Sequence, residues 1–299
     1  MRFLKLLVSV VLIILIAWSL KLFLFKESDY NTDSQTSGQA EGPSITEQVQ
    51  SFSISGFSKS GEKAWQVEGK SANILSDVID LTDINADSYS DDTNANLKAD
   101  EGVFYRRTNN ILLKKNVIIV TDEGTTLTTD SLDWDDKAEL ISTEDHVYIK
   151  RKDMDADGTG ALAKPNLKKA RLNNDVTVIT QDPAAVITCD GPLEIDYEAN
   201  IAYFNRNVKL VDKETTIDTD KATAYFDPKK RALSKVICQG NVKILRGEDI
   251  TYAEELTYMP GEGRVLLTGR PKIIIQSAEE LIKEHKEKKN GSTKDREPS

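Results

Sequence analysis

Short runs of β-branched residues alternate with polar residues from about Ser51 to Gln276. Turn-forming residues separate these runs at short intervals, as in Asp122-Glu123-Gly124 and Asp212-Lys213-Glu214. An apolar–polar alternation with a period of two is typical of strands that bury one face. Only residues 161–172 fit a helix, and Pro165 interrupts them. The pattern therefore predicts an all-β fold for this part of the chain.

One short phrase recurs along the strands: a polar residue, then Val, then any residue, then an aliphatic residue. Its five clear copies are centred on Val117, Val147, Val176, Val208 and Val242, which are 30, 29, 32 and 34 residues apart. A degenerate sixth copy begins at Arg270-Pro271. A fixed period of this length indicates repeated supersecondary units, each of which needs its neighbours to bury its apolar face.

A second phrase, a small residue followed by an acid, precedes the valine phrases, as in Ala99-Asp100, Thr129-Asp130 and Thr219-Asp220. An apolar strand and a turn separate the two phrases, so each unit reads as two antiparallel strands. Bonding of each acid to its local backbone at a strand bend is the simplest explanation of the recurring carboxylate. A parallel β-helix, with coils of about 20–25 residues, is the rival fold. The period near 30 favours hairpins.

Residues 1–26 differ from the rest because they are almost wholly apolar. Leu6–Phe25 is interrupted only by Lys21 and has the length of a membrane-spanning helix. A cleavable signal peptide is the alternative, but Ala17-Trp18-Ser19 is a poor cleavage site. We therefore predict an uncleaved anchor with the remainder outside the cytoplasm. Residues 27–50 read as a flexible linker, and 277–299 as a charged tail that is helical at first and then disordered.

Within each valine phrase, the valine and the aliphatic residue two positions later point to the same face of the strand. This inward set forms an apolar trough: Val117, Ile119, Val147, Ile149, Val176, Val178, Val208, Leu210, Val242 and Ile244. An ordinary core is the default interpretation of such a stripe. Beside a membrane, the trough could also hold acyl chains, since each buried CH₂ contributes about 0.8 kcal/mol.

Composition and motifs argue against several other classes of function. A net charge of −10 disfavours broad nucleic-acid binding. No nucleophile elbow, phosphate-binding loop or HExxH motif occurs, so we predict neither an enzyme nor a cofactor. Cys189 and Cys238 lack metal-site spacing. They are either small buried hydrophobes or, outside the cytoplasm, one disulfide. His146 occupies a polar slot before a valine phrase and is expected to be structural.

Two stretches resemble a known family. Residues 51–180 resemble LptC, the bitopic inner-membrane component of lipopolysaccharide export. Residues 186–275 are similar to the OstA-like repeats of LptA. The LptC-like features are the anchor, Ser55-Gly56-Phe57, Gly61–Val67, Ile79-Asp80-Leu81, Ala99–Gly102 with Ile111-Leu112-Leu113, and Leu127–Trp134; the LptA-like ones are Thr219–Ala222 and Gln239–Val242.

The resemblance implies a twisted, V-shaped β-jelly roll of repeated antiparallel hairpins, behind one N-terminal transmembrane helix. Its domains would be the anchor (1–26), the linker (27–50), an LptC-like periplasmic domain (51–184), LptA/OstA-like repeats (185–276) and the tail (277–299). It also implies lipopolysaccharide as cargo, with inner-membrane ABC transporter subunits and an LptA-like bridge protein as partners. The ten inward residues are then candidate lipid contacts. The alternative function is a membrane-anchored scaffold or adhesin that transfers no lipid.

Overall fold

The computed structural model describes residues 47–57, 61–89, 94–164, 167–181, 184–229 and 232–275. These residues form seventeen strands and one 3-10 turn at Pro260–Glu262. The strands are β1 (Glu47–Phe57), β2 (Lys63–Ile74), β3 (Val78–Ser88), β4 (Ala95–Tyr105), β5 (Asn110–Thr121), β6 (Thr126–Asp135), β7 (Leu140–Lys150), β8 (Met154–Lys164), β9 (Lys169–Gln181), β10 (Ala184–Cys189), β11 (Leu193–Asp196), β12 (Ile201–Val211), β13 (Thr215–Phe226), β14 (Leu233–Arg246), β15 (Asp249–Met259), β16 (Arg264–Thr268) and β17 (Lys272–Ile274).

The strands form one antiparallel meander in which each long strand pairs with the strands before and after it in the chain. Two positions in the meander are each filled by a pair of short strands. β10 and β11 together lie between β9 and β12, and β16 and β17 both pair with β15. The predicted antiparallel hairpins are therefore confirmed for the described residues. The parallel β-helix is wrong, because no coil of parallel strands is present there.

Most of the long strands lose their register near the middle, where one or more residues on each side are unpaired. At three of these kinks two consecutive residues have positive φ: Lys115-Asn116, Arg206-Asn207 and Gly240-Asn241. Asparagine and glycine tolerate this left-handed conformation better than other residues do. At these three kinks the asparagine before the valine thus suits the left-handed conformation.

The recurring acids bond across these kinks rather than to their local backbone. Nδ2 of the kink asparagine donates to the recurring carboxylate, which lies on the neighbouring strand or, for Asp190, directly after β10: Asn116 to Asp100 at 2.6 Å, Asn207 to Asp190 at 2.6 Å and Asn241 to Asp220 at 2.9 Å. The structural interpretation of the acids therefore stands at these three sites, but the predicted partner was wrong. At these sites the acid of one recurring phrase accepts a hydrogen bond from the asparagine of the other phrase.

The buried apolar residues form two core clusters. The first runs from Trp65 to Ile141, and the second from Val147 to Leu256, so the clusters meet within β7. Leu127 packs against both of them. The sheet also continues through residue 184, because β10 pairs with β9 on one side and β12 on the other. The proposed domain boundary at 184/185 therefore lies inside one sheet and one core.

Two smaller predictions meet the structure here. The linker was predicted to end at residue 50, but β1 begins at Glu47, so four of its residues are part of the first strand. Cys189 and Cys238 are free and buried, as expected for small hydrophobic residues. The described part of the chain contains no helix long and apolar enough to cross a membrane. The predicted anchor and the charged tail lie outside the described residues.

Candidate functional site

A single row of apolar side chains crosses the whole sheet, perpendicular to the strands. Each member is directly paired, Cα to Cα, with the next member on the neighbouring strand. We call this set the apolar row: Ile54, Val67, Ala86, Leu97, Ile119, Leu127, Ile149, Ala156, Val178, Ile187, Leu210, Ile217, Ile244, Thr251 and Ile273. Fourteen strand spacings of about 4.8 Å give it a length of about 67 Å.

Burial changes along the apolar row. From Val67 to Ile119 its members are fully buried in the first core. Leu127 and Ile149 are partly buried, and the four consecutive members from Ile187 to Ile244 are also partly buried. The last member, Ile273, is 61% exposed. The row is thus closed from Val67 to Ile119 and again at Ala156 and Val178, and it is most open at its C-terminal end.

The ten predicted inward residues fall into two groups. The five valines of the phrase are all 0–1% exposed, which makes them floor residues packed by protein atoms on every side. Of the aliphatic residues two positions later, Ile119 and Val178 are buried. Ile149, Leu210 and Ile244 are only partly buried. All five of these aliphatic residues belong to the apolar row, and the structure brings them into line.

The other half of each strand carries a second set of inward residues, and their size changes along the fold. In the first core this set includes large side chains such as Phe104, Ile111 and Trp134, which are directly paired in sequence across β4, β5 and β6. Further along the chain the same line of pairs contains four alanines, of which the last two belong to the second core: Ala163, Ala170, Ala202 and Ala224. Small side chains in this region fill less of the interior.

Sequence reasoning missed the return strands. Leu127, Ile187 and Ile217 belong to the apolar row but follow no valine phrase, so they were not predicted. Each lies directly opposite a phrase residue, for example Leu127 opposite Ile119. The turn Asp122-Glu123-Gly124 could have revealed the pair, because Ile119 lies three residues before Asp122 and Leu127 lies three residues after Gly124.

The two edges of the sheet differ in how far their apolar side chains are covered. β1 pairs only with β2 among the described strands, and its inward residues Phe52 and Ile54 pack on the first core. At the other edge, Val265 on β16 and Ile273 on β17 are 53% and 61% exposed. Both edges leave backbone groups unpaired within the described residues, and the C-terminal edge also leaves apolar side chains uncovered.

Charged and titratable groups near the interior have structural roles. The rings of His146 and Tyr148 are tilted by 54° with centroids 4.4 Å apart, and Nε2 of His146 lies 3.4 Å from Oδ2 of Asp157. Burial raises the pKa of Tyr197 to about 12, although the positive charge of Arg151 opposes this change. Burial likewise raises the pKa of the Cys238 thiol to about 12. Neutral forms of these groups suit an apolar interior.

Comparison with known families agrees with this architecture. The model of the family described as "Lipopolysaccharide-assembly, LptC-related" matches residues 9–181, more than half of the chain. The chain belongs to the LptC-related family. A second model, "LptA/(LptD N-terminal domain) LPS transport protein", matches residues 187–287 of this LptC-related protein. It is therefore a component of lipopolysaccharide transport that carries an LptA-like region behind the LptC-related one.

The first family match ends at residue 181, the last residue of β9, and the second begins at residue 187, within β10. The second core spans this point, because Val176 and Val178 from one match pack with Cys189 and Val208 from the other. No curated protein matches the chain significantly. Among solved structures, the LptA-homologous periplasmic component LptH of Pseudomonas aeruginosa shares 13% identity. It covers 52% of this chain and 96% of its own, with a TM-score of 0.25.

Proposed function

We propose that this LptC-related protein carries lipopolysaccharide away from the inner membrane with the acyl chains held along the apolar row. The observation that supports this most strongly is the continuity of the row. Over fifteen strands, only Thr251 is not aliphatic. An acyl chain of a dozen carbons buried there would gain on the order of 10 kcal/mol at about 0.8 kcal/mol per CH₂, before entropic costs.

The partly buried members of the row are the best candidates for lipid contact. A side chain that is 0–1% exposed, such as Val208, has no free surface to offer unless its surroundings open. Leu210, Ile217 and Ile244 retain accessible surface and lie in the core lined by alanines. We therefore assign acyl-chain contact to these three residues with Ile187 and Ile149. The five phrase valines become the floor beneath them.

Membrane attachment follows from the residues before β1. Leu6–Phe25 would span the inner membrane once, with the sheet in the periplasm. The residues from Lys26 to the start of β1 at Glu47 would connect the two. This arrangement places the closed, N-terminal third of the apolar row nearest the source of the lipid.

Both edges of the sheet provide a means of docking to partners. Unpaired strand edges accept another strand by β-augmentation, which would extend the sheet and the apolar row together. The β1 edge would face the inner-membrane transporter subunits. The β16/β17 edge would face an LptA-like bridge protein, and its exposed Val265 and Ile273 would be covered on docking.

Filling the row with a larger side chain tests the proposal. Ile217→Trp places an indole among the partly buried residues, whereas Ile179→Trp adds the same ring on the outer face, where Ile179 is already 43% exposed. Lipopolysaccharide that co-purifies with the full-length protein should fall several-fold for Ile217→Trp and stay unchanged for Ile179→Trp. Equal co-purification by both folded variants would contradict acyl-chain binding along the apolar row, and absence of lipopolysaccharide from the unmodified protein would favour a scaffold or adhesin without lipid transfer.

A further inference from the structure

A second line of apolar side chains crosses the C-terminal half of the sheet, on the face opposite the apolar row. Its members are directly paired, Cα to Cα, from β9 to β17. Each is also the chain neighbour of a member of the apolar row, and consecutive residues of a strand point to opposite faces. We call this outward set the outer ledge: Ile179, Val186, Val211, Thr216, Leu245, Ile250 and Ile274.

The outer ledge is accessible to solvent in the described part of the chain. Ile179, Val186 and Leu245 are 43%, 36% and 38% exposed, and the other four members are half-buried. Only Thr216 is not aliphatic. Towards the N-terminus the same line of pairs becomes mostly polar over β8 to β4: Asp155, Lys150, Thr126, Val120 and Asn96. A contiguous exposed apolar stripe of this kind is typical of an interaction surface.

Charged residues border the outer ledge, with opposite net charge on its two sides. On the side nearer the kinks, the next outward residues from β12 to β17 include three lysines and one aspartate, for a net charge of +2: Lys209, Asp218, Lys243, Tyr252 and Lys272. On the other side, the β12–β13 and β14–β15 turns and their flanking residues carry four acids and two bases, for a net charge of −2: Asp212, Lys213, Glu214, Arg246, Glu248 and Asp249. A membrane surface has one sign of charge, so it matches only one of these borders.

We propose that the outer ledge is the surface through which two copies of this chain pack face to face. A two-fold axis along the ledge lays each aliphatic member over its own counterpart and reverses the strand direction between the copies. The kink-side border of each copy then faces the turn-side border of the other. Because these borders have opposite net charge, the surface is complementary to itself.

Lys243 illustrates this match. Leu245 lies on the axis, so Lys243 lies over Gly247 of the second copy, which has no side chain. The strands on either side of that glycine bring Glu214 and Glu248 of the second copy next to the lysine ammonium. One cation therefore lies between two carboxylates across the interface.

Two other charge contacts have to give way, and both are weak. Glu214 pairs with Arg246 of its own copy at 3.3 Å, but both side chains are more than 70% exposed, so the bond contributes little. Lys209 would face Lys213 of the second copy directly if the strands were exactly aligned. Packed sheets are rotated by about 30° relative to each other, and this rotation offsets the two lysines.

The contact area is sufficient for a specific interface. Six strand spacings make the ledge about 29 Å long, and one outward residue on each side makes the surface about 20 Å wide, or about 600 Å² on each copy. Specific interfaces bury about 1,000 Å² or more in total. The packing uses neither the backbone edges of the sheet nor the apolar row, so it is compatible with lipid binding and does not depend on it.

Thiol crosslinking of the full-length protein in membranes tests this packing. Leu245→Cys places a thiol on the axis, and Val120→Cys places one in the same line of pairs at matched exposure, 38% against 39%. Val120 lies four strands beyond β9, where the twist of each sheet separates the copies. The native Cys189 and Cys238 are buried. A bismaleimide that spans about 10 Å, the distance between packed sheets, should give a covalent dimer at position 245 and little at position 120.

Two differently tagged copies in one cell test the orientation. Lys243→Cys in one copy and Glu248→Cys in the other should crosslink to a heterodimer, because the reversed strands bring these positions within about 11 Å. Lys243→Cys in both copies should crosslink several-fold less, since these positions would lie about 17 Å apart. The opposite ranking would overturn the inference.

Leu245→Glu tests whether the aliphatic contact holds the copies together. Monitored through a thiol at Val186→Cys, it should reduce the crosslinked dimer several-fold, whereas Val120→Glu should leave the dimer unchanged. Protection of the native thiols from iodoacetamide verifies that each variant is folded. Equal crosslinking at positions 245 and 120, or none at either, would overturn the inference. Quenching of a fluorophore at position 245 by spin-labelled lipid, without a covalent dimer, would overturn it in favour of the membrane surface.

Discussion

Asn116 donates a 2.6 Å hydrogen bond from Nδ2 to Oδ2 of Asp100 across the kink between β4 and β5. Asn116 has φ of 50°, a conformation that most side chains disfavour. The bond and the backbone conformation act together, because the left-handed turn aims the amide at the preceding strand. The same pair recurs as Asn207 with Asp190 and Asn241 with Asp220, so the kink has one chemical basis throughout.

Removing the amide of this pair should destabilise the fold. Asn116→Ala loses a hydrogen bond and puts a less tolerant residue at positive φ, and we expect a loss of about 1–3 kcal/mol in the free energy of unfolding. Urea denaturation measures this loss. Asn116→Gly removes only the hydrogen bond and should cost less than the alanine variant. A glycine variant as damaging as alanine would show that backbone conformation contributes nothing.

Gly240 precedes Asn241 at the kink in β14, where an added side chain would meet the carboxylate of Asp220. Its φ is 81°, and a Cβ there would lie 2.3 Å from Oδ2 of Asp220, the carboxylate that Asn241 binds. Gly240→Ala should therefore lower the free energy of unfolding by about 1–3 kcal/mol, through backbone strain and loss of that bond. Gly261→Ala is the control, since no atom lies within 4 Å of its Cβ position and its φ is unremarkable. Similar midpoints for the two variants would contradict the prediction.

The buried Val208 and the exposed Val265 should respond differently to the same substitution. Val208→Ala removes two methyl groups from a side chain that is 1% exposed, and we expect a loss of about 1.5–3 kcal/mol. Val265→Ala makes the same chemical change at a side chain that is 53% exposed, so a loss below about 1 kcal/mol is expected. Denaturation of full-length protein in detergent compares them. A loss at Val265 as large as the loss at Val208 would contradict the prediction.

The two thiols should be unreactive in the folded protein. Burial raises the pKa of Cys238 from 9.0 to about 12, and also raises the pKa of Cys189. Only the thiolate reacts with iodoacetamide, so we expect labelling at pH 8 in urea and none without it. Mass spectrometry counts the labels. Rapid labelling of the native protein would contradict the burial of these strands.

The same pKa shift gives a stability change at alkaline pH. Above pH 9 the unfolded chain releases the Cys238 proton, whereas the folded protein holds it until about pH 12. The stabilisation is therefore complete below pH 9 and is lost as pH rises towards 12. Between pH 9 and 10, the free energy of unfolding should fall less steeply for Cys238→Ala than for the unmodified protein. Parallel pH profiles would show that this thiol does not contribute.

Local pattern was sufficient to predict the hairpins and the phrase residues, because a period of two and a repeat near 30 residues are visible in the sequence. The link between Asp100 and Asn116 was not predictable from pattern alone, since it depends on how far the register slips at the kink. Leu127 and Ile217 were missed for a related reason: cross-strand pairing, rather than position along one strand, brings them into the apolar row.

Direct crosslinking of lipid along the apolar row tests the central proposal. A photoreactive residue is placed at Ile149, Leu210 or Ile217 in turn, with Lys209 and Lys243 as controls on the opposite face of the same strands as Leu210 and Ile244. The protein is expressed in a Gram-negative host, irradiated and probed for lipopolysaccharide. We predict adducts at all three row positions and none at the two lysines. Adducts at neither set in folded, membrane-bound protein would contradict the proposal and leave the row as an ordinary core.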